Sequence, residues 1–326
     1  MTAQQSARPI VTLTANPSVD RTITLPGRLE RGAVHRVDRA TSQAGGKGVN
    51  ISRAAVSAGL ATVAVLPSPA DDPFVRELEA AGIECRTSRP AGDIRVNLAL
   101  TEPDGTTTKL NSPGAPVGRE HLDDLAATLM REAGAASWTV MAGSLPPGAP
   151  ASLYADLVPG LRGLTRVAVD TSDEALAELV ARLPASAPDL LKPNAHELAS
   201  ITGTDEEQLE ADPVAAATAA RTLVERGVGA VLVTLGARGA VLLDPTGAWH
   251  AQPPPTIVVS TVGAGDSSLF GYLLAELRGL APAERLALAV AYGSAAAALP
   301  GTTIPTPDHV RPESVVVRPL PVHQPS

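Results

Sequence analysis

SWTVMAGSLPPGAPASLYADLVPGLRGLTRVAVDTS, residues 137–172, carries the reading of the fold. Two short runs, WTVMA and RVAVD, are rich in apolar residues without strict alternation, the pattern of strands covered on both faces. Between them a Pro- and Gly-rich turn opens a segment, SLYADLVPGL, that reads as a helix. Strand, helix and strand in that order form a βαβ unit, which requires a parallel pair.

The alternation continues outward. Upstream, IVTLTA (10–15) is a strand cut off by Asn16-Pro17. GGKGVNISRAAVSAGL (45–60) is a Gly-rich turn opening a helix that stops at Gly59, and ATVAVLP is a strand. DPFVRELEAAGI (72–83) and REHLDDLAATLMREAG read as helices. Downstream come a helix over 173–183, the segment DLLKPNAHELASITG, a helix near 212–226 and AVLVTLGARGAVLLD. The expected class is α/β, with a mostly parallel sheet.

Two segments break the rhythm. Residues 21–42 contain RTITL and HRVDRATS. Residues 94–111 read as a hairpin, IRVNLAL and TTTKLN, across an Asp104-Gly105 turn. They are expected either to meet as a small sheet, a lid built from 20–42 and 93–111, or to be ordinary edge hairpins. The whole is expected to form one domain over 10–322. Residues 1–9 and the Pro- and Val-rich tail 306–326 are expected to be flexible or surface-lying.

Composition narrows the function. Aromatics are 2% of 326 residues, which argues against stacking platforms for single-stranded nucleic acid. The net charge of −8 offers no basic field for nucleic acid or an anionic membrane. The longest apolar runs are far short of a spanning helix, and the N-terminus does not read as a signal peptide. Cys85 is the only cysteine, so no internal disulfide forms and Cys-rich metal sites are excluded. A cytoplasmic protein without nucleic-acid or membrane partners is expected. Anionic ligands would then be met by a few local donors.

Those donors are sought where glycine meets a helix start. In TVGAGDSSLFGYLLAE (261–276), Gly263 and Gly265 free the backbone, and the amides of 263–266 would face outward at a helix N-terminus. Asp266 there is either an N-cap or a base that orients an attacking hydroxyl during phosphoryl transfer. No Gly-Lys-Ser/Thr follows, so this is not a Walker loop. In LLKPNAHELASITG (190–203), Lys192, Asn194 and Glu197 suit either a capped helix start or a nucleotide's phosphates and Mg²⁺. In VLVTLGARGAVLLD (231–244), Thr234, Gly236 and Gly239 form a plain hairpin turn or bring backbone close to a nucleotide. GGKGVN (45–50), with Lys47, is a second possible anion cradle. Asp20, after the first strand, reads as a sugar-hydroxyl acceptor or a turn residue. Arg95 and Asn97 share a strand face, with Lys109 on the partner strand, either facing water or binding a phosphate. The histidines have no metal-ligand spacing, and no Gly-x-Ser-x-Gly elbow appears.

Taken in order, TLTANPSVDRTI, GGKGVNISRA, IRVNLAL, LNSPG, AGSLPPG, LKPNAHEL, TLGARGA, TVGAGDSSLFGYL and GTTIPTP resemble the PfkB (ribokinase-like) carbohydrate kinases from residue 10 to about 310. The resemblance implies a three-layer α/β/α core with a β-sheet lid, and an ATP:sugar-phosphate phosphotransferase. The acceptor it implies is fructose 1-phosphate at C6, with tagatose 6-phosphate or fructose 6-phosphate at C1 as alternatives. A non-catalytic binding protein is disfavoured because Asp266, Gly263 and Gly265 are present. By resemblance, Asp266 is the base, and Gly263, Ala264 and Gly265 form the anion hole. Asp20, Gly45, Gly46, Lys47, Asn50, Arg95 and Ser144 lie on the substrate side. Lys192, Asn194, Glu197, Thr234, Gly236, Gly239 and Gly293 lie on the ATP side, with Glu197 near Mg²⁺, usually through water. His35 and Arg36 fall on the lid, where relatives carry phosphate-binding side chains, and pairing of lid strands implies a homodimer. One departure is PSPADDPFV (67–75), with three prolines where relatives carry a Gly-rich loop.

Overall fold

The computed structural model describes residues 10–321. In chain order its strands are β1 (Ile10–Leu13), β2 (Ser18–Thr24), β3 (Arg39–Gly45), β4 (Thr62–Pro67), β5 (Glu84–Ser88), β6 (Arg95–Thr101), β7 (Thr107–Asn111), β8 (Trp138–Ala142), β9 (Arg166–Asp170), β10 (Leu190–Leu191), β11 (Val231–Thr234), β12 (Ala240–Asp244), β13 (Gly247–Gln252) and β14 (Val316–Pro319). The helices are α1 (Lys47–Ser57), α2 (Pro73–Ala80), α3 (Arg119–Ala133), α4 (Leu153–Leu161), α5 (Asp173–Ala181), α6 (Ala195–Thr202), α7 (Glu206–Ala211), α8 (Pro213–Val224), α9 (Ala264–Leu277) and α10 (Pro282–Ala297).

Ten strands form one sheet in the order β14-β13-β12-β11-β10-β9-β8-β1-β4-β5. From β11 to β5 every pair is parallel; β11 to β14 is an antiparallel extension. Successive side chains point to opposite faces, so each strand feeds two cores. Val11, Met141, Val167, Val169, Val231 and Val233 pack with α3, α4, α5, α6 and α8. Ile10, Val140, Ala168 and Leu232 pack with α1, α9 and α10 on the other face. The result is the expected three-layer α/β/α arrangement.

α9 is buried from Asp266 through Ala275. It approaches α10 closely because two glycines leave room. A Cβ on Gly271 would lie 2.7 Å from the Leu288 carbonyl oxygen and 2.9 Å from Ala289 Cα. A Cβ on Gly293 would lie 2.1 Å from Ser268 Oγ. Phe270 and Tyr292 complete the seam edge to face, with centroids 5.2 Å apart.

The segments that broke the rhythm meet in a four-stranded sheet, β3-β2-β6-β7. β6 and β7 form the expected hairpin, and β2 joins them in parallel, with Asp20 opposite Asn97. The chain leaves the large sheet after β1 and again after β5 to build it, so it stands at the carboxyl ends of the parallel strands. The described part of the tail lies at the surface, and it adds a strand there. Val316–Pro319 closes the edge of the large sheet against β13, and Val310 is buried. Residues 1–9 and 322–326 lie outside the described residues.

Gly271→Ala is expected to force α9 and α10 apart and cost roughly 1–3 kcal/mol, the range for overpacking. A lower urea midpoint at unchanged slope is the readout, and an unchanged midpoint would show that the seam relaxes freely.

Candidate active site

In the large sheet the chain runs from β1 to β4 and β5 on one side and from β8 to β11 on the other. The strand order therefore reverses between β1 and β8, and the crevice at their carboxyl ends is where such sheets hold ligands. Gly46, Lys47, Gly143, Ser144, Asp170 and Lys192 all lie just beyond or at the carboxyl ends of strands, and Asp20 lies near the start of β2.

The first turn of α9 enters this crevice. Gly263 is the N-cap, in the left-handed region at φ 78°, and contributes no side-chain cap. Asp266 is the third helical residue, so it does not cap its own helix. Its Oδ2 instead accepts a 2.8 Å hydrogen bond from Asn50 Nδ2 on α1. Among the described residues, the amides of Gly265 and Asp266 donate to no main-chain acceptor, so this turn keeps free donors at the positive end of the helix dipole. Asn50, read as a substrate contact, is thus committed to the carboxylate of Asp266.

A feature not legible in the sequence stands behind this turn. Asp170, at the end of β9, is fully buried and bridges two ammonium groups. Lys47 Nζ donates to Oδ1 at 2.7 Å, and Lys192 Nζ lies 3.1 Å from Oδ2. A Cβ added to Gly265 would lie 3.5 Å from Lys192 Nζ, which places that ammonium against the α9 turn. Burial pushes the Asp266 carboxyl up, the Asp170 charge adds to that, and Lys47, Asn50 and Lys192 only partly offset them, leaving its pKa at about 6. Burial also opposes charge on Asp170 and on Lys47, but their pairing wins: Asp170 falls below the usual carboxylate range and Lys47 rises above the usual ammonium range. Nothing in VAVDTS distinguishes Asp170 from any strand-end aspartate; only the fold reveals its partners.

The second sheet contributes a polar cluster. Asp20 Oδ1 accepts from Ser18 Oγ at 2.8 Å and from Asn97 Nδ2 at 3.0 Å. Gly45 is required beside it, since a Cβ there would lie 2.2 Å from Asp20 Oδ2. Arg95 shares the face and donates to the Ser112 carbonyl at 3.0 Å, leaving Nε without a partner. Burial lowers the Arg95 pKa against the pull of Asp20. Asn97 Oδ1 is likewise buried and unpartnered. Lys109 follows on β7, exposed. Gly46 caps α1 at φ 122°, where only glycine is at ease. Ser144 is exposed and unbonded after β8. His35 and Arg36 sit beyond Thr24, at the far end of this sheet, where His35 Nε2 meets the main chain of Glu30. The structure does not bring them to the cluster.

The ATP-side residues divide. Asn194 and Glu197 form a reciprocal capping box on α6, each side chain accepting the other's amide at 2.8 Å. Glu197 Oε1 takes no part in it. Thr234 N donates to the Pro193 carbonyl, which sets the end of β11 beside Asn194. β11 and β12 are antiparallel across the turn, so the hairpin reading holds. Gly236, at φ 54°, faces open space. Gly239 and Gly293 have packing reasons instead. A Cβ on Gly239 would lie 1.9 Å from the Ala251 carbonyl oxygen, and Gly293 is buried against α9.

Sequence reading also missed a link between the sheets. Thr302 Oγ1 donates to Gln43 Oε1 on β3 at 2.7 Å, and the adjacent Gly301 carbonyl accepts from Ser260 Oγ in the loop ahead of α9. The proline-rich 67–73 loop folds without glycine: Ser68 pairs with Ser88, and Asp72 caps α2. A recess of about 420 Å³ lies at the opposite, amino end of the strands. Two of its charged groups are already engaged, Asp189 on the Val167 amide and Arg166 on Glu276 and Trp138, while Arg162 at its rim is exposed. Cys85 is half-buried, and burial pushes its thiol up to about 11. Among the described residues no three His, Cys, Asp or Glu side chains converge as a metal site, and no helix is long and apolar enough to cross a membrane.

The chain matches the pfkB family of carbohydrate kinases over residues 13–309. It is 38% identical over 319 residues to a 1-phosphofructokinase of Rhodobacter capsulatus, covering 96% of this chain and 98% of the relative. Phosphofructokinase-2 from Escherichia coli, solved with substrates and products, superposes with a TM-score of 0.83 at 28% identity, over 92% of this chain and 96% of that one. The tetrameric inhibited form of the same enzyme superposes at 0.81 and 28% identity, over 90% and 95%.

A carboxyl whose folded pKa lies above its unfolded value of about 3.8 binds its proton more tightly when folded, so stability falls as pH rises from about 4 to about 6. Asp266→Asn removes that cost and is expected to gain on the order of 2–3 kcal/mol at pH 8 and nothing at pH 4. Thermal scans at both values check this; equal shifts at both would show that the buried charge is not the cause.

Proposed function

The chain belongs to the pfkB family of carbohydrate kinases, and within it we propose that the enzyme phosphorylates the C6 hydroxyl of fructose 1-phosphate with ATP. The observation that carries the reading is the position of Asp266: it is buried inside the first turn of α9, does not cap it, and sits beside free amides and two ammonium groups. Phosphoryl transfer needs this combination of donors for developing charge and an acceptor for one proton.

The acceptor oxygen attacks the γ-phosphorus while the bond to the β,γ-bridging oxygen breaks, and ADP leaves with that electron pair. The hydroxyl proton passes to Asp266. With a pKa of about 6, this carboxyl is ionised at neutral pH and more basic than an ordinary aspartate. The amides of Gly265 and Asp266 and the Lys192 ammonium face the charge that spreads over the migrating group. Asn50 fixes the carboxylate's direction.

On the acceptor side, Asp20 takes sugar hydroxyls, with Asn97 and Gly45 holding it in place, and Arg95 binds the phosphate already on the sugar. The unpartnered Arg95 Nε and Asn97 Oδ1 support this, since buried polar atoms left single want a ligand or water. Gly46 and Ser144 line the same crevice, and the second sheet acts as its lid. On the nucleotide side, Thr234 and Gly236 border the purine end, while Gly239 and Gly293 act through packing. Mg²⁺ fits the donor set: one free carboxylate oxygen, Glu197 Oε1, suits an ion that keeps its waters and arrives on the triphosphate. Bound there, it would neutralise β- and γ-phosphate oxygens.

The outer face of the second sheet supports a homodimer. Ile23, Val96, Leu98, Leu100 and Leu110 share it by register, beyond Val19, which packs on the core beneath, and Leu110 is 55% exposed. A second copy laid on this face would bury that apolar stripe.

ADP release across fructose 1-phosphate, fructose 6-phosphate, tagatose 6-phosphate, fructose and ribose tests the acceptor. Fructose 1-phosphate is expected to give the highest kcat/KM, with an acid limb near pH 6; a better rate on either 6-phosphate would reassign the substrate. Asp266→Asn is expected to lower kcat by roughly 10²–10⁴-fold with little change in ATP affinity, and near-normal turnover would remove it as base. Light scattering on the same preparation should give twice the chain mass, and a monomer would discount the lid interface.

A further inference from the structure

A fully buried carboxylate is expensive, and one ammonium partner would be enough to keep it charged. Asp170 instead faces two ammonium groups from different elements: Lys47, from the start of α1, hydrogen-bonds Oδ1, and Lys192, from the end of β10, is ion-paired with Oδ2, which makes no hydrogen bond. Lys192 is 4% exposed and lies against Gly265 in the α9 turn, while the Lys47 side chain keeps 36% exposure. We propose that Asp170 is a positioning residue that holds Lys47 and Lys192 as a two-pronged fork beside the α9 turn, so that Lys47 attends the migrating phosphoryl group rather than the phosphate already on the acceptor. The inference rests on the reading of Asp266 as base and revises the substrate-side assignment of Lys47.

Three features carry it. The fork places two positive charges where the free amides of α9 already point, so all these donors serve one anion. Lys47 feels Asp170, Asp266 and Glu197, the carboxylates of the α9 turn and of the neighbouring β9 and α6. Asp20 instead is a neighbour of Arg95. The phosphate-binding role on the acceptor side is thus available to Arg95 without Lys47. The third feature is charge balance. Asp170 and Asp266 face Lys47 and Lys192, two negative groups against two positive, with Glu197 near Lys47. Tyr154 abuts the same cluster, its hydroxyl donating to the Gly143 carbonyl and its pKa raised by burial. Removing the negative charge of Asp170 leaves Asp266 facing two uncompensated ammonium groups, which favours its ionised form.

The experiment is steady-state ADP release with fructose 1-phosphate from pH 5 to 9, on the full chain and on Asp170→Asn, Lys47→Met and Lys192→Met. Asp170→Asn is expected to lower kcat by about 10–100-fold, to keep both KM values within about threefold, and to move the acid limb to lower pH. Lys47→Met is expected to lower kcat at least about tenfold, to leave the KM for fructose 1-phosphate within about threefold, and to move the acid limb to higher pH. A purely structural Asp170 would lower the melting temperature without moving the limb. An unmoved limb and a kcat within about threefold in Asp170→Asn would overturn the proposal, as would Lys47→Met raising the KM for fructose 1-phosphate about tenfold or more at normal kcat. If Asp170→Asn does not fold, the two lysine variants decide by the same readouts. Failure of the wild type to use fructose 1-phosphate would instead sink the acceptor assignment, and the variants are then measured on the acceptor it does use.

Discussion

Everything in the crevice depends on one constraint: Asp266 must be ionised while nearly cut off from water. Burial and the neighbouring Asp170 push against ionisation, and two ammonium groups and the amide of Asn50 push back. Neither side wins outright. The carboxyl is left more basic than in water yet still deprotonated at neutral pH, which suits an acceptor of one proton late in a loose transfer. The same balance fixes geometry, because the groups around Asp266 come from three elements: the compensating Asn50 and Lys47 from α1 and Lys192 from the end of β10, and the opposing Asp170 from β9.

The scaffold explains why those elements meet. Parallel strands end together, and the reversal of strand order between β1 and β8 leaves a gap at that edge. Helices α1 and α9 begin over the gap, so two glycine-initiated N-termini face one space. α9 is held there by its close seam with α10, in which Gly271 and Gly293 admit backbone and Ser268 where a side chain would not fit. The second sheet grows from loops at the same edge; Thr302, in the loop after α10, donates to its Gln43, and the adjacent Gly301 carbonyl accepts from Ser260 in the loop that precedes α9. The two sides of the crevice are therefore joined by packing and by several polar contacts, Asn50 to Asp266 and Lys47 to Asp170 among them.

Much of this was legible in order along the chain. Unalternating apolar runs such as WTVMA and RVAVD announce doubly covered strands, and glycine before an apolar helix announces an exposed N-terminus. The Asp104-Gly105 turn announces its hairpin. What stayed hidden depends on distance in sequence. Asp170 becomes distinctive only when residues 123 positions before it and 22 after it fold onto its two oxygens. Thr302 and Gln43 are 259 residues apart. Gly239 and Gly293 resemble ligand-facing glycines in one dimension, yet the neighbours that demand them are the Ala251 carbonyl and Ser268. In the tail, the β-branched run Val315–Val317 is short and proline-flanked; it pairs because β13 offers an open edge.

The central claim is that the α9 turn grips the phosphoryl group while Asp266 aligns the incoming hydroxyl. A crystal structure with MgADP, aluminium fluoride and fructose 1-phosphate reads both contacts at once. The account predicts fluoride ligands on the amides of Gly265 and Asp266 and an Asp266 oxygen within about 2.6–3.2 Å of the sugar O6. An Asp266 side chain turned away from both the fluoride and the sugar would contradict it.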